Sequence, residues 1–149
     1  MKNNNITYFA YGANLSKADM AIRCPGCEPL KRAILPDHRL VFRGVADIEP
    51  CEGESVQGGL YRITAQHLEA LDRFESYPRL YLRKQVTVLL ESGDEATAIA
   101  YHMTKPNGYA PPYESYLNLI LAGCRSWDIP ESYFRKIIKA AANSHFRGE

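Results

Sequence analysis

The chain has 149 residues, of which 46% are hydrophobic, and 18 Lys plus Arg nearly balance 17 Asp plus Glu. A chain of this length buries about two-thirds of its unfolded surface, so we expect one domain over residues 1–149 without cross-links. The near-neutral charge disfavours a nucleic-acid partner, because neutralising phosphates takes a basic surface. No apolar run reaches the roughly 20 residues that span a bilayer, and the N-terminus lacks a secretory signal, so we expect a cytoplasmic location without membrane contact.

Apolar periodicity and turn residues divide the chain into predicted strands and helices. The strands, in chain order, cover residues 6–11, 40–46, 56–63, 80–91 and 96–103. The helices, in the same order, cover residues 17–23, 64–75 and 113–124 and a last segment that begins near Pro130. A hairpin turn, Ser92-Gly93-Asp94, joins the last two strands.

The order of these elements predicts the fold class. The acidic stretch 47–54 contains Pro50 and Gly53, and we interpret it as a solvated connection between two strands. The strands follow one another through hairpins instead of alternating with helices, which disfavours a doubly wound parallel sheet. We predict an α+β fold with a mostly antiparallel, barrel-like sheet.

Four cysteines and four histidines raise the question of a metal or redox site. Cys24-Pro25-Gly26-Cys27 has the spacing of both kinds of motif. A thioredoxin-type motif opens a helix after a strand, whereas this one closes a predicted helix. The remaining cysteines, Cys51 and Cys124, stand alone and supply no second ligand pair for zinc. We expect reduced thiols, no metal and no cofactor, with a redox or zinc module as a distant alternative.

The predicted helix 64–75 carries a candidate catalytic residue. On a helix, Leu68 and Leu71 share one apolar face, and Glu75 projects between them. A carboxyl group in a poorly hydrated pocket has a raised pKa, which suits proton transfer. The alternative is that the helix frays near Ser76 and that Glu75 reaches water.

The segment from Tyr8 to Ser16 is a second candidate site. A strand, a glycine turn and a capped helix start can direct backbone N–H groups at an anion or a developing oxyanion, and the Asn14 side chain could add a donor. The alternative is an ordinary turn with Gly12 at positive φ and no ligand. Ten tyrosines, seven of them after Glu75, suit a small pocket for a polar molecule. No Ser or Cys lies in a sequence context typical of a nucleophile.

Taken together, three motifs resemble those of one enzyme family. The segment Tyr8-Phe9-Ala10-Tyr11-Gly12-Ala13-Asn14-Leu15 is similar to the YGSN loop of the γ-glutamylcyclotransferase family. Residues 59–63 and 71–75 resemble that family's strand and the helix that bears its catalytic glutamate. The family's C-terminal helix signature is matched by Pro112, Tyr116, Ile120, Gly123 and Pro130. The motifs occur in the family's order over residues 6–135.

The resemblance implies a small mixed, mostly antiparallel β-barrel flanked by helices, with a pocket beside the YGxN loop. In the reaction it implies, the α-amine of a γ-glutamyl compound attacks its own γ-carbonyl, and 5-oxoproline and an amino acid or amine are released. Glu75 would then be the general acid and base. The substrate-binding residues implied by the resemblance are Tyr11, Gly12, Ala13 and Asn14, for the glutamyl carboxylate or the oxyanion, and Tyr81 and Tyr116, for the pocket wall.

Two departures from the family pattern bear on substrate preference. Ala13 stands where the loop usually has Ser, and Ser76 stands where Gly commonly follows the glutamate. A catalytically silent small-molecule-binding protein of the same fold is the alternative, and the presence of Glu75 argues against it. The expected partner is a γ-glutamyl small molecule, and the chain is expected to be a monomer or a homodimer.

Overall fold

A closed β-barrel is the centre of the computed structural model, which describes residues 5–104 and 108–144. Its strands are β1 (Ile6–Ala10), β2 (Glu28–Phe42), β3 (Ala46–Ile63), β4 (Tyr81–Leu90) and β5 (Glu95–Met103). The helices are α1 (Lys17–Arg23), α2 (Ala65–Phe74), α3 (Glu114–Ser126) and α4 (Glu131–Asn143), and a 3-10 turn (Ala13–Leu15) precedes α1. Within the described ranges no helix is long and apolar enough to cross a membrane.

The strand order around the barrel is β1-β3-β2-β4-β5. Among the five strands of the described residues, four pairings are antiparallel, and only the closing contact between β1 and β5, at Tyr8 and Ile99, is parallel. The predicted α+β class with a mixed, mostly antiparallel barrel flanked by helices is therefore confirmed.

The prediction for residues 28–54 was wrong in two respects. Residues 28–39 belong to β2, and the acidic stretch 47–54 is part of β3 and not a solvated connection. Arg39 of β2 and Arg43, which directly follows β2, pair with two of its carboxylates: Arg43 Nε lies 2.9 Å from Asp47 Oδ2, and Arg39 Nη2 lies 2.6 Å from Glu49 Oε2. Because the arginines lie on the other side of the turn between β2 and β3, the sequence of the stretch by itself shows only unneutralised acidic residues.

Local capping signals predicted two helices correctly. Ser16 Oγ accepts a hydrogen bond from the Asp19 N–H at 3.2 Å, and α1 spans the predicted residues. Thr64 Oγ1 accepts from the His67 N–H at 3.2 Å, while His67 Nδ1 accepts from the Thr64 N–H at 3.1 Å. This reciprocal pair starts α2 about two turns before its buried residue, Leu71, and so sets which face of α2 meets the barrel.

The CxxC segment closes α1, as predicted. Cys24 is the C-terminal cap of the helix, and its N–H donates to Met20 O at 2.7 Å. Burial raises the pKa of the Cys24 thiol to about 11, which disfavours the reactive thiolate. Within the described part of the chain all four cysteines are free, and no group of three or more His, Cys, Asp or Glu side chains is arranged to hold a metal ion.

The buried side chain of Trp127, which follows α3, connects that helix to the turn at the start of α1. Its indole Nε1–H donates to Leu15 O at 2.9 Å, and its ring contacts the Tyr61 ring edge-on with the centroids 5.3 Å apart. Tyr61 in turn donates from its hydroxyl to Asn14 O at 2.9 Å. These contacts hold the 3-10 turn against the end of the barrel.

Candidate active site

A cavity of about 170 Å³ lies at the end of the barrel next to this turn. It brings together every residue that the sequence nominated for the site: Tyr11, Gly12, Ala13, Asn14, Glu75, Tyr81 and Tyr116. The remaining lining residues were not nominated: Tyr8, Val45, Ala46, Phe74, Leu80 and Tyr101. The lining therefore comes from β1, the loop after it, the start of β3, the end of α2, two further strands and α3.

Glu75 is the first residue after α2 and lines the cavity. Its N–H still donates to Leu71 O at 2.8 Å, which places it on the same side of the helix as that fully buried leucine. Burial raises the pKa of the Glu75 carboxyl to about 7, and the Arg23 guanidinium offsets part of this rise. A carboxyl group with this pKa can both accept and donate a proton near neutral pH.

The end of α2 agrees in part with the alternative interpretation, in which the helix frays near Ser76 and Glu75 reaches water. The helix does end there, and Ser76 has a φ of 56°, a left-handed conformation that glycine adopts more easily. This conformation accounts for the glycine that the family commonly has at the position. The chain turns away at Ser76 while Glu75 stays only partly exposed in the cavity wall.

Gly12 allows the loop 11–14 to approach the barrel closely. Its φ is −124°, so the positive φ that was assumed for an ordinary turn is wrong. A Cβ at this position would lie 3.1 Å from Ala46 Cβ and 3.4 Å from Tyr116 Oη. The 3-10 turn bonds the Leu15 N–H to Gly12 O, and the earlier N–H groups of Ala13 and Asn14 have no helical acceptor.

Asn14 is almost fully buried, and its side-chain amide bonds within the protein. Its Oδ1 accepts from Arg23 Nη1 at 2.6 Å, and its Nδ2 donates to Tyr8 Oη at 2.9 Å. The Arg23 guanidinium also lies over the Phe74 ring, 3.8 Å from its centroid. Sequence reasoning missed Arg23, because its contacts depend on how the last turn of α1 packs beside α2.

Hydroxyl groups of tyrosines make up much of the polar lining. Tyr81 Oη donates to Ala46 O at 2.7 Å, Tyr116 Oη accepts from the Ala46 N–H at 3.0 Å, and Tyr11 Oη donates to Tyr101 O at 2.7 Å. Burial raises the pKa of each of these phenols, to about 12 for Tyr116. At neutral pH they are therefore uncharged hydrogen-bonding groups.

Tyr101 and Asp72 form a second contact that sequence reasoning missed. Tyr101 Oη donates to Asp72 Oδ1 at 2.6 Å, and Arg83 Nε lies 3.2 Å from the same oxygen. Asp72 lies one helical turn before Glu75, so this contact ties the end of α2 to β4 and β5. The spacing of Asp72 and Glu75 was visible in the sequence, whereas their partners on the strands were not.

Comparison with known proteins identifies relatives that share this architecture. Residues 8–118 match the sequence profile of the family described as Gamma-glutamyl cyclotransferase, AIG2-like. The chain is 28% identical over 151 residues to a Gamma-glutamylcyclotransferase of Bos taurus, covering 93% of this chain and 80% of the relative. It is 29% identical over 155 residues to the Homo sapiens protein of that name, covering 95% and 81%.

A solved structure described as Gamma-glutamyl cyclotransferase superposes on the fold with a TM-score of 0.85. The two chains are 28% identical, and the match covers 90% of this chain and 86% of that one. The Bacillus subtilis protein YkqA, at 22% identity, shares the fold with a TM-score of 0.80 over 93% of this chain and 55% of its own. The chain therefore belongs to the gamma-glutamyl cyclotransferase, AIG2-like family.

Proposed function

We propose that the protein converts a γ-glutamyl amino acid or γ-glutamyl amine to 5-oxoproline and releases the amino acid or amine. The observation that carries the proposal is Glu75, a half-buried carboxyl group with a pKa of about 7 in a cavity lined by loop 11–14. The cavity lining, as described, includes no Ser or Cys. That composition suits a reaction in which the substrate supplies its own nucleophile.

In the proposed reaction, Glu75 takes a proton from the α-ammonium group of the substrate, and the free amine attacks the carbon of the γ-carbonyl group. The carbonyl π electrons move onto oxygen and give a tetrahedral oxyanion. As the oxyanion collapses, the bond from the γ-carbonyl carbon to the leaving nitrogen breaks, and Glu75 returns the proton to that nitrogen. The attacking nitrogen then carries two hydrogens and a positive charge, and it passes one proton to the released amine, so that 5-oxoproline keeps a single N–H and the amine leaves as an ammonium ion. A positioned general base contributes about 10²–10⁴-fold, and holding the substrate in the attacking conformation contributes about 7–11 kcal/mol.

The size and lining of the cavity support a role for the γ-glutamyl group as the enclosed part of the substrate. A volume of about 170 Å³ is below the roughly 300–1,000 Å³ of pockets that enclose a drug-sized ligand. The N–H groups of Ala13 and Asn14 would bind the glutamyl carboxylate, and Tyr81 and Tyr116 would form the wall around the glutamyl chain. The leaving amino acid or amine would then extend towards the mouth of the cavity.

A substrate screen tests this proposal directly. The purified protein is incubated with a set of γ-glutamyl amino acids and γ-glutamyl amines, and released 5-oxoproline is quantified. We expect turnover of at least one compound. Binding of these compounds without 5-oxoproline release from any of them would instead support a catalytically silent binding protein.

The pH dependence of turnover provides a separate prediction about Glu75. In the free protein the base form is lost as the pH falls through about 7, so kcat/KM should decline there. A bound substrate ammonium stabilises the carboxylate and lowers its pKa, and the acidic limb of kcat should therefore lie at lower pH. Both profiles are measured with one confirmed substrate. Coincident limbs near pH 4 would show that Glu75 behaves as an exposed carboxyl group.

A further inference from the structure

We infer that the Tyr8 hydroxyl donates a hydrogen bond to the γ-carbonyl oxygen of the substrate, and that Arg23 and Asn14 orient it for this purpose. The inference rests on the proposed cyclisation and adds an oxyanion donor to it. Tyr8 lies on β1, is 3% exposed, and lines the same cavity as Glu75.

The direction of each hydrogen bond in this chain of contacts follows from the chemistry of its groups. The Arg23 guanidinium only donates, so the Asn14 atom 2.6 Å from it is the acceptor Oδ1. The other end of the amide is then Nδ2, which donates to Tyr8 Oη at 2.9 Å. Tyr8 must therefore accept this bond, and its own hydroxyl hydrogen is left to donate elsewhere. In residues 5–104 and 108–144 it has no protein acceptor.

The other tyrosines of the cavity use their hydroxyl hydrogens differently. Those of Tyr11, Tyr81 and Tyr101 go to protein oxygens, at distances of 2.6–2.7 Å. Tyr116 resembles Tyr8, because it accepts a bond from a backbone N–H and keeps its own hydrogen. Two hydroxyl donors are thus available to a substrate in this cavity.

Tyr8 suits the carbonyl oxygen better than Tyr116 does, because the Arg23 guanidinium is linked to its hydroxyl through the Asn14 amide. Arg23 polarises the Asn14 amide, and the polarised amide strengthens Tyr8 as a donor, since linked hydrogen bonds reinforce one another. Tyr116 accepts from the neutral backbone of Ala46 and lies against Gly12, next to the loop N–H groups proposed for the carboxylate. In the tetrahedral intermediate the γ-carbonyl carbon is bonded to both nitrogens that Glu75 must reach, so the donor to its oxygen has to lie beside Glu75. Tyr8 and Glu75 line the same cavity, and burial, together with the Glu75 carboxylate, keeps the Tyr8 pKa well above its usual range. Tyr8 therefore donates a hydrogen bond without giving up its proton.

The Tyr8→Phe variant tests the inference, because it removes the hydroxyl and keeps the ring. Loss of one oxyanion donor typically lowers kcat by about 10²–10³-fold. We expect a loss of that size in kcat with little change in KM and an unchanged acidic limb of kcat/KM. Tyr133→Phe, which removes a buried hydroxyl on α4 outside the cavity, is the matched control and should keep the wild-type kcat.

Arg23→Met tests the positioning part of the inference and remains informative if Tyr8→Phe fails to fold. Without the guanidinium the Asn14 amide is free to turn over and accept the Tyr8 hydrogen. We expect a smaller loss of kcat on the alkaline plateau, and little added loss when the substitution is combined with Tyr8→Phe. The acidic limb of kcat/KM should move to higher pH, because Arg23 lowers the pKa of Glu75.

Two results would overturn the inference while leaving the cyclisation intact. One is a folded Tyr8→Phe variant whose kcat stays within about threefold of wild type, far from the typical effect of losing a donor. The other is a loss of kcat accompanied by a shifted acidic limb in Tyr8→Phe, which would mean that Tyr8 acts through Glu75. Failure of the wild-type protein to release 5-oxoproline would refute the proposed function itself.

Discussion

Replacing Glu75 with glutamine should lower kcat by about 10²–10⁴-fold while leaving the protein folded. The amide is nearly isosteric with the carboxyl group but cannot take a proton from the substrate ammonium. Removal of a general base typically costs about 10²–10⁴-fold in rate. We expect a loss of kcat in that range with any γ-glutamyl substrate that the wild-type protein accepts, measured as 5-oxoproline release.

Stability measurements separate this chemical effect from a structural one. The pKa of Glu75 is raised from 4.5 to about 7 by burial, so the folded state binds this proton more tightly than the unfolded state does. Wild-type stability therefore declines as the pH rises from about 4.5 to about 7, and glutamine removes that contribution. At pH 8, Glu75→Gln should melt at or above the wild-type temperature.

The matched control is Glu69→Gln, on an exposed position of the same helix. It removes the same charge from α2 and should leave both kcat and the melting temperature close to wild type. Wild-type turnover by Glu75→Gln, or the same loss in both variants, would contradict the role proposed for Glu75.

Replacing Gly58 with alanine should destabilise the protein by about 3 kcal/mol, near the upper end of typical overpacking effects. An added Cβ would lie 2.2 Å from Ala10 O and 2.8 Å from Phe9 Cζ. Both neighbours are buried, and β1 is held by its pairing with β3, so neither can move away cheaply. For a chain of this size the melting temperature should drop by roughly 6–12 °C. Because β1 leads directly into loop 11–14, turnover should fall as well.

Gly93→Ala is the matched control for the added methyl group. Gly93 lies in the turn between β4 and β5 with a φ of 95°, and an added Cβ would meet nothing within 4 Å. This substitution carries conformational strain of about 1–2 kcal/mol without a steric clash. The free energy of unfolding of both variants, measured with denaturant, compares the cost of the steric clash at position 58 with the cost of the strain at position 93. A Gly58→Ala variant as stable as Gly93→Ala would contradict the tight packing of β1 on β3.

The sequence by itself determined the features that depend on neighbouring residues. The capping pair at Ser16 predicted α1, and the one at Thr64 predicted the start of α2. The turn at Gly93 predicted the hairpin of β4 and β5, and their succession predicted the mostly antiparallel sheet. Glu75 was nominated in the same way, because its spacing from Leu71 places both on one side of a helix.

Only the tertiary structure decided the features that depend on contacts between separate elements of the fold. The stretch 47–54 is part of a strand that pairs with β2, and Arg39 and Arg43 neutralise two of its carboxylates, an effect that its own acidic composition conceals. The arrangement of Arg23, Asn14 and Tyr8 depends on the packing of α1 beside the 3-10 turn and α2, which no local pattern encodes. The raised pKa of Glu75 depends on its burial in a cavity that β1, loop 11–14, β4, β5 and α3 form together. Burial and hydrogen-bond direction are properties of the assembled fold, and local spacing carries no information about either.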